Sequence, residues 1–411
     1  MFKKISYTIL YYAYVQIIAF IIFVLTANFY GAHGRGIYAS VTTIFTFTAT
    51  ILSLSVGGVI PYFSNIFKGN PKAFLKENFY SLLLMLIILT FICFFVSSSL
   101  FLISPSWFGS IDIKYLIAAA MSLPFFVWIS TNDFLFAILG EIKRQNFIGF
   151  YVKTTYLIGS FLFVFFYKIS LLGFIIIYSL FNLVQLGAEC FFLLKKVRPQ
   201  KKIQYNFIKN VLKRAFLLHF VSVASLLNTS FSLIVLNYYS ANDLKDVGNL
   251  NYANQLAAIL MVLPLVANKF MYEETALKGL QESWQAQKKI LYYTMCAMVG
   301  LCVLAYFLIV PFTNLLKKEF LSAVPVFRWM LLAILPSSFC ALMQNQWYSR
   351  GDLKNYSVIN IVVGLLTAIF SFVAISAWGI YGAVASSMFS FSGLFIFNFL
   401  YYLKINKSHL K

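Results

Sequence analysis

The chain of 411 residues is 61% hydrophobic and 11% charged, whereas a soluble globular domain is about 45–50% apolar and about 25% charged. That balance excludes a soluble enzyme or binding module and points to an all-α membrane protein. The formal charge of +20 would suggest nucleic acid in a soluble protein, but its placement along the chain has another explanation, and no nucleic-acid partner is expected.

A membrane-spanning helix needs ~20 mostly apolar residues to cross ~30 Å of hydrocarbon. Segments meeting that need lie at 8–30, 37–64, 79–102, 115–139, 147–167, 171–194, 216–239, 250–271, 290–310, 326–347, 356–377 and 383–403, which makes twelve expected spans. The start, with Lys3, Lys4, an apolar run and Thr26-Ala27-Asn28, has the outline of a secretory signal. Its apolar run is longer than the 7–15 residues of a typical signal core, and further spans follow, so a retained first helix is expected. Gln16 places an amide in this first span. Gly34-Arg35-Gly36 then reads as the outer turn before span 2. There Arg35 has two readings, a guide for an anionic group leaving on that side or a solvated turn residue. It is no phosphate loop, since the rest of G-x-G-x-x-G is missing.

Spans 4 and 5 carry the ionisable groups that matter most, because charge inside a span is costly and marks function by default. Asp133 and Lys153 each lie ten residues from Lys143 in the intervening turn. At ~1.5 Å per residue, two antiparallel helices bring them to similar depth. An Asp–Lys pair facing a cavity, with the ammonium open to an anionic substrate, stands beside a purely structural pair or a snorkelling lysine. Span 6 adds Asn182 and Gln185, and Glu189 is expected to reach the cytoplasmic interface. Asn132, Asn228, Thr229, Asn254, Gln255, Gln344, Asn345 and Asn360 place further polar groups in the spans. Such amides suit the hydroxyls of a sugar and serve equally as interhelical hydrogen bonds worth ~0.6 kcal/mol.

Between spans 6 and 7, residues 195–215 form the most basic connection. Ile203, Phe207, Ile208, Val211 and Leu212 recur there at helical spacing among Lys209, Lys213 and Arg214, as in an amphipathic helix lying on a membrane surface. Leu277, Leu280 and Trp284 share a face and suggest a second such element in 273–289. The five cysteines fall within spans and the three histidines are scattered, so neither disulfides nor a metal site is indicated. With no nucleophile elbow, Walker sequence, paired catalytic carboxylates or long outer segment, no enzymatic activity and no cofactor are expected.

The basic residues set the topology. Connections after even-numbered spans, with the two tails, hold 24 lysines and arginines against 7 on the opposite side. The positive-inside rule therefore puts both termini in the cytoplasm. The same face would attract anionic lipids of the inner leaflet.

Internal repetition gives the architecture. Asn28-Phe29-Tyr30-Gly31-Ala32 matches Asn237-Tyr238-Tyr239-Ser240-Ala241 at an offset of 209, and Gly140-Glu141-Ile142-Lys143 matches Gly351-Asp352-Leu353-Lys354 at 211. Leu172-Gly173 ahead of span 6 answers Tyr381-Gly382 ahead of span 12, again at 209. Internal prolines occur only in spans 2, 4, 8 and 10, as Pro61, Pro124, Pro264 and Pro336. Two six-helix lobes, 1–194 and 216–411, joined by the 195–215 linker, are expected to be related by a parallel pseudo-two-fold repeat about the membrane normal.

The stretch Asn28 to Ser40, the Gly-rich segment Ser55 to Pro61, Gly140 to Asn146, Gly351 to Asn355, and Trp378 to Ala383 together resemble bacterial polysaccharide flippases. The likeness covers nearly the whole chain. These are the O-antigen or capsule repeat-unit flippases of the multidrug/oligosaccharidyl-lipid/polysaccharide exporter superfamily. The resemblance implies a MATE-like V-shaped transporter in the bacterial inner membrane, rocking between inward and outward openings. It implies an undecaprenyl-diphosphate-linked oligosaccharide as substrate, with a polysaccharide polymerase and a chain-length regulator as partners. An ion gradient or the membrane potential would drive it. Lys153, Asp133, Arg35, Gln16, Asn228 and Asn254 are the substrate-binding candidates. A cation-coupled drug antiporter of the same superfamily, with Asp133 as its carboxylate, and a membrane-embedded glycan polymerase are the alternatives.

Overall fold

The computed structural model describes residues 2–60, 63, 71–103, 111–240, 243–350 and 352–409. Pro61 and Gly351 lie outside them, as do the side chains of Leu277 and Leu280. Among the described residues there are helices and turns but no strand. In chain order the α-helices are α1 Phe2–Leu52, α2 Pro71–Ile103, α3 Ile113–Ala120, α4 Leu123–Ile138, α5 Ile142–Phe165 and α6 Leu171–Val197. They continue with α7 Tyr205–Thr229, α8 Phe231–Tyr239, α9 Lys245–Thr313, α10 Ala323–Ser349, α11 Leu353–Trp378 and α12 Ile380–His409. Short 3₁₀ turns occupy Val56–Val59 and Lys318–Ser322. Among the described residues, ten helical segments are long and apolar enough to cross a membrane. The chain is a multi-pass membrane protein.

Two helices are much longer than a bilayer is thick, and both change direction. Within α1, Gly31 has φ 72° and ψ −176°, a conformation outside the helix that costs a residue without Cβ nothing. The Arg35 guanidinium donates to Thr26 Oγ1 at 3.0 Å, a contact that closes across this break. Helix α9 would place Tyr252 and Thr313 about 90 Å apart if straight. Their hydroxyls are instead 3.3 Å from each other, so α9 folds back on itself. The interfacial element expected over 273–289 is thus part of this helix, and its Trp284 is buried, donating to Asn406 Oδ1 at 3.0 Å.

The linker also departs from expectation. Its amphipathic stretch is not a separate surface helix but the first turns of α7, which runs unbroken to Thr229 before α8 resumes at Phe231. Val211 and Ala215 are fully buried, and Phe207 lies edge-on to Phe63 and Phe74. Gln200 N–H donates to the Lys76 carbonyl and Gln204 N–H to Ser81 Oγ, both at 2.8 Å. The apolar face thus finds protein rather than lipid.

Two compact units emerge. One comprises Met1–Leu25 with Ile37–Val223, and the other Thr26–Gly36 with Ala224–Lys411. The second unit thereby claims the short segment around Gly31, and its packing there explains the local sequence. Gly34-Arg35-Gly36 is helical, not a turn. A Cβ on Gly36 would overlap the Leu244 carbonyl oxygen, and one on Gly248 would overlap that of Ala32. Two helix backbones meet here with nothing between them, the close approach that small residues permit in membranes. The break at Gly31 exposes the Ala32 N–H, and Glu319 Oε2 accepts it at 2.9 Å. A carboxylate at a helix N-terminus satisfies an orphan donor and complements the helix dipole.

Gly→Ala in a helix normally stabilises by about 0.5–1 kcal/mol. At Gly36 and Gly248 the sign should reverse, with melting temperature and monodisperse yield in detergent both falling. Gly187→Ala, where a Cβ would meet nothing within 4 Å, should leave both unchanged or raise them. Equal behaviour at all three positions would show that the backbone contact is not close.

Candidate functional site

In the first unit, α4, α5 and α6 pack together and bury a polar cluster deep in α6. Glu189 is 1% exposed and accepts from two amides, Asn132 Nδ2 at 2.8 Å and Gln185 Nε2 at 3.0 Å. Gln185 lies one turn earlier on α6, so the two side chains share a face. Asn132 reaches across from α4 and is fully buried. The amide oxygens of Asn132 and Gln185 have no hydrogen-bond partner among the described residues. Lys153 on α5 is close enough for its charge to act on Glu189.

The placement of Glu189 corrects the expectation that it reaches the interface. Helix α6 continues to Val197, eight residues further, so Glu189 sits roughly 12 Å inside the helix end. Asp133 is corrected in the other direction. It is exposed and accepts from Gln145 Nε2 at 2.6 Å, and no ion pair joins it to Lys153 among the described residues. Adjacent residues on a helix differ by about 100° in direction, which spacing along the chain does not resolve. Asn132 has the inward face and Asp133 the outward one.

The other candidates do not converge on this cluster. Arg35 is 3% exposed in the second unit, donating to Thr26 and, at 2.9 Å, to Asn251 Oδ1. It is neither solvated nor in a turn. Asn228 is buried there too, with Ser390 Oγ donating to its Oδ1 at 2.8 Å and its Nδ2 unpartnered among the described residues. Gln16 and Asn254 are half-buried.

The second unit has its own polar core, and sequence reading singled out only Asn345 within it. Gln287 Nε2 donates to Ser283 Oγ at 2.9 Å, while its Oε1 accepts from Asn345 Nδ2 at 3.4 Å and from Gln346 Nε2. Trp347 Nε1 donates to Asn398 Oδ1 at 2.8 Å and its ring stacks on Tyr401. Half-buried charged groups join it, with Arg350 Nε donating to Gln346 Oε1 at 3.0 Å and Asp352 accepting from Tyr401, whereas the carboxylate of the first unit's cluster is buried. The amide spacing on α9 and α10 offered a signal, but no pairing could be read from it.

Repetition is visible in the contacts of the two acidic turns. Glu141 N–H donates to the Phe136 carbonyl at 2.8 Å, and Asp352 N–H to that of Trp347 at 3.1 Å, each five residues back. The Glu141 carboxylate then pairs with Lys196 of α6 at 2.6 Å, and Asp352 accepts from Tyr401 of α12 at 2.9 Å. Each acidic turn is thus tied to a later helix, that of Glu141 to α6 and that of Asp352 to α12.

No protein-family model and no curated protein matches the sequence. Solved structures do match the fold. The lipid II flippase MurJ, in an inward closed conformation, is similar with a TM-score of 0.73 and 16% identity, over 95% of this chain and 86% of its own. An inward-facing multidrug resistance MATE family transporter of the MOP superfamily has a TM-score of 0.71 at 11% identity, over 96% and 95%. A eukaryotic MATE transporter gives 0.67 at 12% identity, over 98% and 95%. The chain has the MurJ/MATE fold.

Glu189 is buried and held by two amides, and a positive charge within electrostatic range favours it further, although no ion pair joins it to Lys153 among the described residues. Lys153→Gln should therefore lower thermal stability in detergent modestly, and by less in a Glu189→Gln background. A Lys153→Gln protein as stable as wild type would mean that the lysine reaches water and Glu189 does not depend on it.

Proposed function

We propose that this protein is a flippase for an oligosaccharide carried on undecaprenyl diphosphate. It moves the lipid-linked unit from the cytoplasmic to the outer leaflet of a bacterial inner membrane by alternating access. The observation that carries the reading is the likeness to a lipid II flippase over 95% of this chain. It is joined by spans rich in amides and aromatics, the side chains that suit a glycan. In this reading the ten apolar segments become twelve spans: the segment Ala13–Leu52 counts as two across Gly31, and α7 with α8 supplies the seventh. The halves 1–194 and 216–411 are the repeated lobes, with both termini cytoplasmic.

Glu189 supports coupling to a cation gradient. A buried carboxylate held by two amides and one lysine's charge can gain or lose a proton as its surroundings open and close. The same observation favours a second reading, a cation-coupled drug antiporter, since such a transporter needs a carboxylate deep in a lobe. Glu189, not Asp133, fills that role in either case. Lys153 and the amides Gln16, Asn228 and Asn254 remain the proposed substrate contacts of the flippase, and Arg35 is reassigned to holding the Thr26–Gly36 segment in place.

Cells lacking the protein should accumulate the completed lipid-linked unit on the cytoplasmic leaflet and lose surface polymer. A drug antiporter would leave the polymer untouched and change only resistance to cationic compounds. Single units reaching the outer face unpolymerised would indicate a polymerase. Normal long-chain polymer in a mutant with no other flippase would refute the proposal.

Topology is tested separately in a variant freed of native cysteines. Ser240→Cys should react with a membrane-impermeant thiol reagent in whole cells, and Lys201→Cys only after permeabilisation. The reverse pattern would invert the assigned orientation.

A further inference from the structure

The second unit carries a groove of about 670 Å³ between the later limb of α9 and the first half of α10. Its walls include Val299, Val303, Phe307, Leu332 and Leu335, and Arg328 is its charged residue. None of these residues belongs to the polar clusters described above. Val303, Phe307, Trp329 and Leu332 are each more than half exposed, so the groove opens outward from the unit. A surface this apolar on a membrane helix pair faces hydrocarbon.

The groove has a direction. Pro325 to Leu335 spans ten residues of α10, which rise ~15 Å, half of a ~30 Å hydrocarbon core. Its length is therefore that of one leaflet. Arg328, Trp329, Tyr306 and Phe307 gather toward the end where α9 finishes and α10 begins, the level at which aromatic residues mark the membrane–water boundary.

Arg328 is held rather than loose. Its Nε donates to the Tyr306 carbonyl at 3.3 Å, and its guanidinium carbon lies 4.3 Å from the centre of the Tyr306 ring. These two contacts use Nε and one face of the group. Its terminal nitrogens have no acceptor among the described residues, and it makes no ion pair there. A guanidinium fixed at the mouth of an apolar channel presents two parallel N–H donors, the geometry that matches a phosphate.

We infer that this groove is a binding site for an anionic phospholipid. One acyl chain lies along Val303, Leu332 and Leu335, and the phosphate is held by Arg328. The one-leaflet length favours a phospholipid over the much longer prenyl chain of a carried lipid. The site belongs to the leaflet at the α9–α10 junction, the outer one under the assigned topology. It does not depend on what the protein transports.

The test is native mass spectrometry of the purified full-length protein with phosphatidylglycerol, with phosphatidylcholine of the same chains, or with undecaprenyl phosphate. Wild type should retain phosphatidylglycerol over phosphatidylcholine. Arg328→Gln should weaken phosphatidylglycerol binding about tenfold, as expected for loss of a charge-assisted contact, and weaken phosphatidylcholine, whose phosphate is already balanced by its own ammonium, by less, so that the preference falls. Leu332→Trp, which fills the channel and keeps the arginine, should reduce both. Both variants must match wild type in size-exclusion profile, and Arg328→Lys, keeping the charge, should restore part of the preference in any case. Undiminished phosphatidylglycerol binding by Arg328→Gln would overturn the assignment. So would Arg328-dependent binding of undecaprenyl phosphate that displaces phosphatidylglycerol, because the groove would then belong to the carried lipid.

Discussion

Within hydrocarbon there is no water to pair with a backbone N–H or C=O, so every such group must find its partner inside the protein. Helices meet that demand residue by residue, and their ends and breaks are where it becomes difficult. The structure can be followed from break to break. At Gly31 the freed Ala32 N–H goes to Glu319, and Asn28 Nδ2 donates to the Leu315 carbonyl at 3.0 Å. Past Leu52 the chain passes through Leu54 and Ser55, both in the left-handed region, and Ser55 Oγ donates to Ser222 at 2.8 Å. Side chains remote in sequence thus complete what the local backbone cannot, and each completion fixes where the next helix packs.

Hydroxyls obey the same constraint in a simpler way. Thr42, Thr46, Thr48 and Thr50 each return their proton to a carbonyl one turn earlier in α1. That habit pairs each of these four hydroxyls within its own helix, and it slightly weakens the helix it decorates. The run ends at the irregular stretch before Val56, so threonines that make the span tolerable in a membrane also precede the place where it stops.

Much of this was legible in sequence, and the failures have a common cause. Length, hydropathy and charge asymmetry are one-dimensional properties, and they identified nearly every apolar helix and the repeated acidic turns. Position along a helix is one-dimensional too, and the ten-residue spacing of Asp133 and Lys153 from Lys143 gives only that. The direction in which a side chain points is not. Asn132 and Asp133 differ by one position, and only the packing of α4 on α6 decides that the amide goes in. Glu189 was misjudged because three further helical residues, Lys195 to Val197, follow the end of the apolar run. Lysines at a helix end look like solvent to a hydropathy count, yet they suit the negative end of the helix dipole and extend the helix. Gly34-Arg35-Gly36 misled for the opposite reason. Its glycines serve a helix contact with Leu244 and Gly248, which no local reading contains.

The two compact units differ in the polarity of their cores. In each, an acidic turn is tied to a later helix, to α6 by Lys196 in one and to α12 by Tyr401 in the other. The second unit has packed amides, a tryptophan and a tyrosine, with the charged Arg350 and Asp352 only half-buried beside them. The first unit has instead buried a carboxylate, with a lysine's charge beside it, between the same kinds of helix. Ions in such surroundings are costly whenever their partners move apart, so the hydrogen bond that Asn132 of α4 donates to Glu189 of α6 both satisfies the carboxylate and holds the two helices in register.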